Sequence, residues 1–271
     1  MLTLIAGAGY TGQRVASTLP VDSTIGINSA SMNLDTGTSL PVDLPANYAV
    51  LYTIPPEGED NTRLLHFLAE LRPAPVRFVY ISTTGVYGDC HGALVTEDSP
   101  VRPDSRMSSP RAAAEALLRD WAEKEGCDLV VLRVPGIYGP GRLGIDRLKG
   151  GGAFLDEADA NPGNRIHVND LVSCCVAALG ENSPAGTYNV GDGDQRSATW
   201  FAREVARQAG LPEPRLISRA QAEKEFSPIR LAFMSSSRIV DTSRMREVLG
   251  VTPRYTNPVD GIAASLSLEG L

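Results

Sequence analysis

At 271 residues, with 42% hydrophobic and 21% charged side chains, the chain can bury a full core and has an ordinary globular composition. Its formal net charge of −7 argues against a general nucleic-acid binder, which carries a basic face, and no block of like charges marks a tail. Cys90, Cys127, Cys174 and Cys175 form no CxxC pair, so they read as reduced thiols of a cytosolic protein, with no metal and no disulfide framework.

The opening MLTLIAGAG lacks a basic n-region and runs straight into a glycine turn, which predicts a buried strand at 2–6 and not a signal peptide. Further strands are predicted at 23–27, 49–53, 76–82 and 128–134, as continuous apolar runs of the kind covered on both faces. Between them, 11–19, 61–71 and 111–125 read as amphipathic helices. Leu64, Leu65, Leu68 and Leu71 recur at helical spacing, as do Ala114, Leu117, Leu118 and Trp121. Residues 136–165 are rich in glycine, poor in apolar periods, and read as loop. A helix over 169–179, a strand at 187–190 and helices over 198–209 and 242–249 follow.

Strand–helix alternation implies right-handed crossovers and an α/β fold: a Rossmann-type, doubly wound parallel sheet with a small interleaved C-terminal substrate lobe. The expected division is a dinucleotide-binding domain over 1–165, to which 169–191 returns, and the lobe over 192–271. No apolar run approaches the ~20 residues of a membrane span.

Gly7-Ala8-Gly9-Tyr10-Thr11-Gly12 directly follows a predicted strand and opens a predicted helix, the context in which GxGxxG signifies a dinucleotide site. Gly7 permits the tight turn, Gly9 lets backbone approach a pyrophosphate, and Gly12 lets helix and strand pack closely. The free N–H groups at Tyr10 and Thr11 face the phosphates. At the ribose end, where NAD binders place an acid about 20 residues on, the segment 26–31 has neither acid nor base. With no carboxylate to repel a 2′-phosphate, the reading leans to NADP over NAD, with Asn28, Ser29 and Arg14 as donors.

Tyr80-Ile81-Ser82-Thr83-Thr84-Gly85-Val86-Tyr87-Gly88 ends a buried strand, where open α/β sheets bind ligands. With Leu132-Arg133-Val134-Pro135-Gly136-Ile137-Tyr138-Gly139-Pro140-Gly141, Ile166-His167-Val168-Asn169-Asp170, Tyr188-Asn189-Val190-Gly191 and 241–250, it resembles the extended short-chain dehydrogenase/reductases. That group includes the nucleotide-sugar epimerases and dehydratases, and the nearest likeness is to its atypical, YeeZ-like members. The resemblance implies an NAD(P)-dependent oxidoreductase or epimerase acting on a small polar or nucleotide-linked molecule. Thr83 would orient the reacting oxygen, Ser82 would lie by the cofactor, Asp43 would contact adenine, and Pro135 would flank the nicotinamide.

One part of the pattern is missing. The family's Tyr-x-x-x-Lys pair, in which Lys lowers the phenol pKa for proton exchange, falls here on Met107 and Arg111. Tyr87, Tyr138, His91 and His167 are the substitutes on strand-end loops, and Tyr138 with Arg142 mimics the spacing. Arg111, Arg133, Arg142 and Arg165 could meet an anionic substrate. The alternative is a catalytically silent NAD(P)-binding redox sensor, since function lives in the site and not in the fold.

Overall fold

A computed structural model describes residues 1–28, 31–37, 39–40, 42–56, 58 and 60–270. In chain order its elements begin β1 (Leu2–Ala6), α1 (Tyr10–Thr18), β2 (Thr24–Ile27), β3 (Tyr48–Tyr52), α2 (Thr62–Glu70), β4 (Arg77–Thr83) and β5 (Leu94–Val95). Next come α3 (Ser109–Glu125), β6 (Asp128–Val134), β7 (Gly136–Tyr138), α4 (Ile145–Lys149), β8 (Phe154–Leu155), β9 (Arg165–His167), α5 (Val168–Leu179) and β10 (Gly186–Asn189). The chain closes with α6 (Ala198–Gln208), β11 (Leu216–Ile217), α7 (Arg219–Glu225), α8 (Pro228–Ser235), β12 (Ile239–Val240), α9 (Ser243–Glu247) and α10 (Pro258–Glu269). No helix among the described residues is long and apolar enough to cross a membrane.

Six strands pair in the order β10-β6-β4-β3-β1-β2, all parallel. Because side chains alternate across a strand, each apolar run feeds two cores. Ile5, Leu51, Val79, Val130 and Leu132 face one side with α1 and α5, where Cys174 and Cys175 are also buried. Leu4, Val50, Phe78 and Val131 face the other with α2 and α3. The strand order reverses at β1, whose neighbours are β2 and β3, and that switch point is where a doubly wound sheet opens a crevice at its carboxyl ends.

The loop reading of 136–165 is corrected: the segment holds β7, α4, β8 and β9. These pieces have no local periodicity because their partners are distant. β7 pairs with β9, β8 with β11, and β5 with β12. A third core joins Tyr138, Leu143 and Leu148 to Val205, Ala206, Ile262 and Leu266, so this segment packs with the C-terminal elements. Helices α7, α8 and α10 were also not foreseen.

Candidate functional site

A cavity of about 1520 Å³ runs along the carboxyl ends of β1, β3, β4 and β6 and under the C-terminal elements. A single small-molecule pocket is roughly 300–1,000 Å³, so this one has room for two ligands. Gly7, Gly9, Tyr10, Thr11, Asn28, Ser82, Thr83, Pro135 and Tyr138 all line it. Gly12 lies just behind, buried in the first turn of α1.

The three glycines of the loop are there for different reasons. Gly7 has φ +99, and a Cβ on it would collide with the Thr53 hydroxyl, which donates to the Gly7 carbonyl at 2.7 Å. A Cβ on Gly12 would strike that same carbonyl. Both are therefore required by the protein's own packing. A Cβ on Gly9 would meet nothing within 4 Å, so the interior does not demand glycine there; the space beside it faces the cavity. Helix α1 starts at Tyr10 with no side-chain cap, and its first ladder bond is Gln13 N–H to Gly9 O at 3.0 Å. The N–H groups of its first turn are thus available to an anion. Open space at Gly9 and an uncapped helix start fit a dinucleotide diphosphate.

Toward β2 the lining is Ile27, Asn28, Met32, Asn33, Leu34, Asp35 and Arg63. Ser29 lies outside the described residues. Asp43 is corrected: it is exposed, on the segment entering the amino end of β3, and does not line the cavity. Arg14 is corrected too, because its guanidinium packs on the Tyr10 ring and donates to Tyr10 O at 2.7 Å, outside the lining. What the sequence did not reveal is a carboxylate: Asp35 takes Arg63 Nε at 2.5 Å and Nη2 at 3.0 Å, side by side. This bidentate pair joins residues 28 apart, and no spacing rule would find it.

At the end of β4, Thr83 Oγ1 accepts the Gly85 N–H at 3.1 Å, capping a short 3₁₀ turn over 84–87, and Thr83 lines the cavity. The Ser82 hydroxyl donates to Glu115 Oε1 at 2.5 Å, into the core. Glu115, 1% exposed, also pairs with Arg133, 2% exposed, at 2.8 Å, and Arg133 donates to the Tyr87 phenol oxygen at 2.9 Å. Tyr87 in turn donates to Asn189 Oδ1 at 2.6 Å. The Val-Tyr-Gly and Leu-Arg motifs are thereby explained as one buried strut between β4, α3, β6 and β10. Arg133 is corrected from substrate contact to structure.

Met107 and Arg111 both line the cavity; Met107 is 56% exposed, and Arg111 donates to Met107 O at 2.9 Å. None of the four substitute acid/base groups presents a proton to the cavity. Tyr87 is in the strut, and burial raises its pKa. Burial raises Tyr138 as well, and its phenol oxygen lies against Gly261 of α10. His167 is buried, accepts the Asn169 N–H at Nδ1, sits 3.2 Å from Ser265 Oγ, and is pushed down to about 4 by burial and then by the Arg14 and Arg254 charges. His91 is 89% exposed beside Asp89 and lies outside the lining.

The other half of the cavity is a cationic chamber on an acidic protein. Among the described residues, seven arginines line the whole cavity against two aspartates, Asp35 and Asp104. Most are already engaged. Arg147 donates to Ala153 O, Arg165 to Asp194 at 2.6 Å, and Arg238 to Gly88 O at 2.9 Å. Phe154, Leu155, Phe201 and Met234 supply apolar walls.

Residues 51–151 match the NAD dependent epimerase/dehydratase family. Protein YeeZ of Escherichia coli K12 is 27% identical over 188 residues, 68% of this chain and 60% of that protein. A dTDP-glucose 4,6-dehydratase of Mycolicibacterium smegmatis is 27% identical over 210 residues, 73% of this chain and 61% of the enzyme. The matched region spans only 50% to 62% of the length of the first curated relatives. A solved structure of a conserved protein of unknown function from Silicibacter pomeroyi superposes with TM-score 0.81 at 27% identity, covering 98% of this chain and 99% of that one. The fold is shared with RMD from Pseudomonas aeruginosa complexed with NADPH (TM-score 0.74, 18% identity, 98% of each chain). It is also shared with a Bacillus anthracis dTDP-glucose 4,6-dehydratase in complex with NAD (TM-score 0.75, 15% identity, 100% and 96%).

Proposed function

We propose that this chain is an extended short-chain dehydrogenase/reductase of the NAD-dependent epimerase/dehydratase type, that it binds a nicotinamide dinucleotide, and that it acts as a slow oxidoreductase or epimerase-like enzyme on a small polar, anionic or nucleotide-linked substrate. The observation that carries this reading is Gly9, a glycine that the protein interior does not need, beside an uncapped helix start. Gly7, Gly9, Tyr10, Thr11 and Gly12 hold the diphosphate, and Pro135 walls the nicotinamide end. Residues 192–271, together with the inserted 139–164, form the substrate lobe.

When bound, the nicotinamide supplies hydride exchange. Thr83 donates its hydroxyl proton to the substrate's reacting oxygen while Gly85 N–H fixes the hydroxyl in place. Met107, at the family's tyrosine position, transfers no proton, and Arg111 contributes a fixed positive charge at the rim. Loss of general acid/base help costs typically ~10²–10⁴-fold, which sets the expectation of slow turnover. The exposed Met107 also favours a second reading, a cofactor-binding sensor without turnover. At the ribose, Asn28 and the Asp35–Arg63 pair replace the NADP-leaning picture drawn from 26–31. A carboxylate there favours the unphosphorylated ribose of NAD.

The test is a panel of small ketones and nucleotide-sugars with NADH and NADPH, read by absorbance. Turnover that falls at least tenfold in Thr83→Val supports the enzyme. Tight cofactor binding with no turnover on any substrate supports the sensor. Absence of binding to either dinucleotide at millimolar concentration removes both.

A further inference from the structure

Residues 139–142 form a tight turn closed by Arg142 N–H to Gly139 O at 2.9 Å, with Pro140 at its second position and Gly141, φ +76, at its third. That is the Pro-Gly signature of a type II turn. Two bonds from outside fix the turn: Tyr10 Oη donates to Pro140 O at 2.9 Å, and Gly141 N–H donates to Glu269 Oε1 at 2.6 Å. Its product is the position of Arg142, whose guanidinium carbon lies 3.9 Å from the centre of the Tyr10 ring. Arg14 takes the opposite face at the same 3.9 Å. Tyr10 is the first residue of α1, so the stack stands beside the open Gly9 position and the free first-turn amides.

Among the described residues lining the cavity, Arg142 and Arg106 are the arginines whose guanidiniums donate to no protein acceptor. Arg106 has no ring to hold it; Arg142 has one. Stacking engages the face of a guanidinium and leaves its edge donors, the fork that matches phosphate, pointing outward. Glu269 at the end of α10, which accepts the Gly141 N–H, makes no ion pair with Arg142 among the described residues.

We propose that Arg142 is a clamp on the cofactor's diphosphate, stacked in advance on Tyr10 so that the phosphates lie between its edge and the amides of α1. This rests on the cofactor reading above and deepens it. Tyr10 acts as a positioning residue through its ring, and the Pro140–Gly141 turn sets the reach.

The experiment is calorimetry of the full chain with NADH and with ADP-ribose, which keeps the diphosphate and lacks the nicotinamide, at low and high salt. Arg142→Ala is expected to weaken both probes about 10- to 100-fold, the range of one or two charge-assisted hydrogen bonds, and to flatten the salt dependence. Arg142→Lys should fall between, since an ammonium cannot stack flat or donate as a fork. Tyr10→Leu should weaken both probes, with little further loss in the Tyr10→Leu/Arg142→Ala double variant, whereas Tyr10→Phe, which keeps the ring and loses only the bond to Pro140 O, should lose less than Tyr10→Leu. Arg142 is exposed, and an unchanged Tm in each variant separates binding from folding. A twofold or smaller change with either probe in Arg142→Ala overturns the clamp. If Gly9→Glu abolishes binding while Arg142→Ala does not, the cofactor reading stands and the clamp falls; if wild type binds neither probe, both fall.

Discussion

The two halves of the cavity are built from different material. The half beside the glycine loop, where we propose the cofactor lies, is backbone: a left-handed glycine, a glycine with no neighbour, an uncapped helix start, and a threonine bonded to a carbonyl. The opposite half is side chain, with arginines spent on carbonyls and carboxylates that come from remote segments. A site built of backbone is written in a short motif, while a site built of long-range pairs leaves no local trace.

The largest expected effect tests whether the strut beneath the two halves is purely structural. Arg133→Met leaves the buried Glu115 with only the Ser82 hydroxyl at 2.5 Å and the half-exposed Arg119 at 2.9 Å, and should cost about 3 kcal/mol in denaturant unfolding. Cofactor affinity of the molecules still folded should be unchanged; a specific loss of affinity would move Arg133 back into the site. The next effect isolates the backbone half. Gly9→Glu should weaken NADH at least 100-fold, about 2.7 kcal/mol, with Tm unmoved, because its Cβ has open space. Gly12→Val should instead lower Tm, because its clash is with the Gly7 carbonyl. If Gly9→Glu destabilises and keeps affinity, the division of labour among the glycines is wrong.

The same contrast explains what could be read from the chain. Strands β1, β3, β4 and β6 were legible because each is buried on both faces and so reads as one apolar run. The pairs β7–β9, β8–β11 and β5–β12 are two or three residues long and depend on partners found only after folding. Of the residues read from motif position, Gly7, Gly9, Tyr10, Thr11, Asn28, Thr83 and Pro135 line the cavity. Asp35, Arg63, Thr53 and the bonds of Arg165 were not read from it, since their roles come from contacts with no sequence spacing. Asp43 was misplaced for the same reason: a family position was carried onto a segment that folds away from the cavity.

Acid acts on the molecule through buried side chains outside the cavity lining, chiefly His167 and Asp192. Burial first, then Arg14 and Arg254, push His167 down to about 4 from 6.5. The unfolded chain therefore holds more protons between those values, and His167 costs stability as pH falls through that window. Asp192 works in the opposite sense. Its buried carboxyl is raised from 3.8 to about 7, so its contribution is full below 3.8 and lost as pH rises through 7. The two offset each other, and removing either should expose the other. Asp192→Asn should lose about 2 kcal/mol between pH 7 and pH 4.5, and His167→Gln should not show that loss. Parallel pH profiles for the two variants would show that neither group sets the acid response.

The smallest effect bears on what the cofactor half can be retuned to accept. Asp35 and Arg63 neutralise each other in a bidentate pair on the β2 side of the cavity, where a Rossmann fold places the adenine ribose. A carboxylate there repels a 2′-phosphate and accepts from a free 2′-hydroxyl. Asp35→Asn removes the repulsion and releases Arg63 to meet the phosphate, so the NADPH-to-NADH affinity ratio should rise about tenfold, or 1.4 kcal/mol. Arg63→Gln should leave the carboxylate in place and lower the ratio. Both variants sit on an exposed edge and should keep the Tm of wild type, so calorimetric affinities compare directly. Ratios that stay within twofold in both would place the ribose away from the pair and leave the choice of cofactor to Asn28. Opposite shifts in the two would show that this ion pair biases the choice between the two dinucleotides.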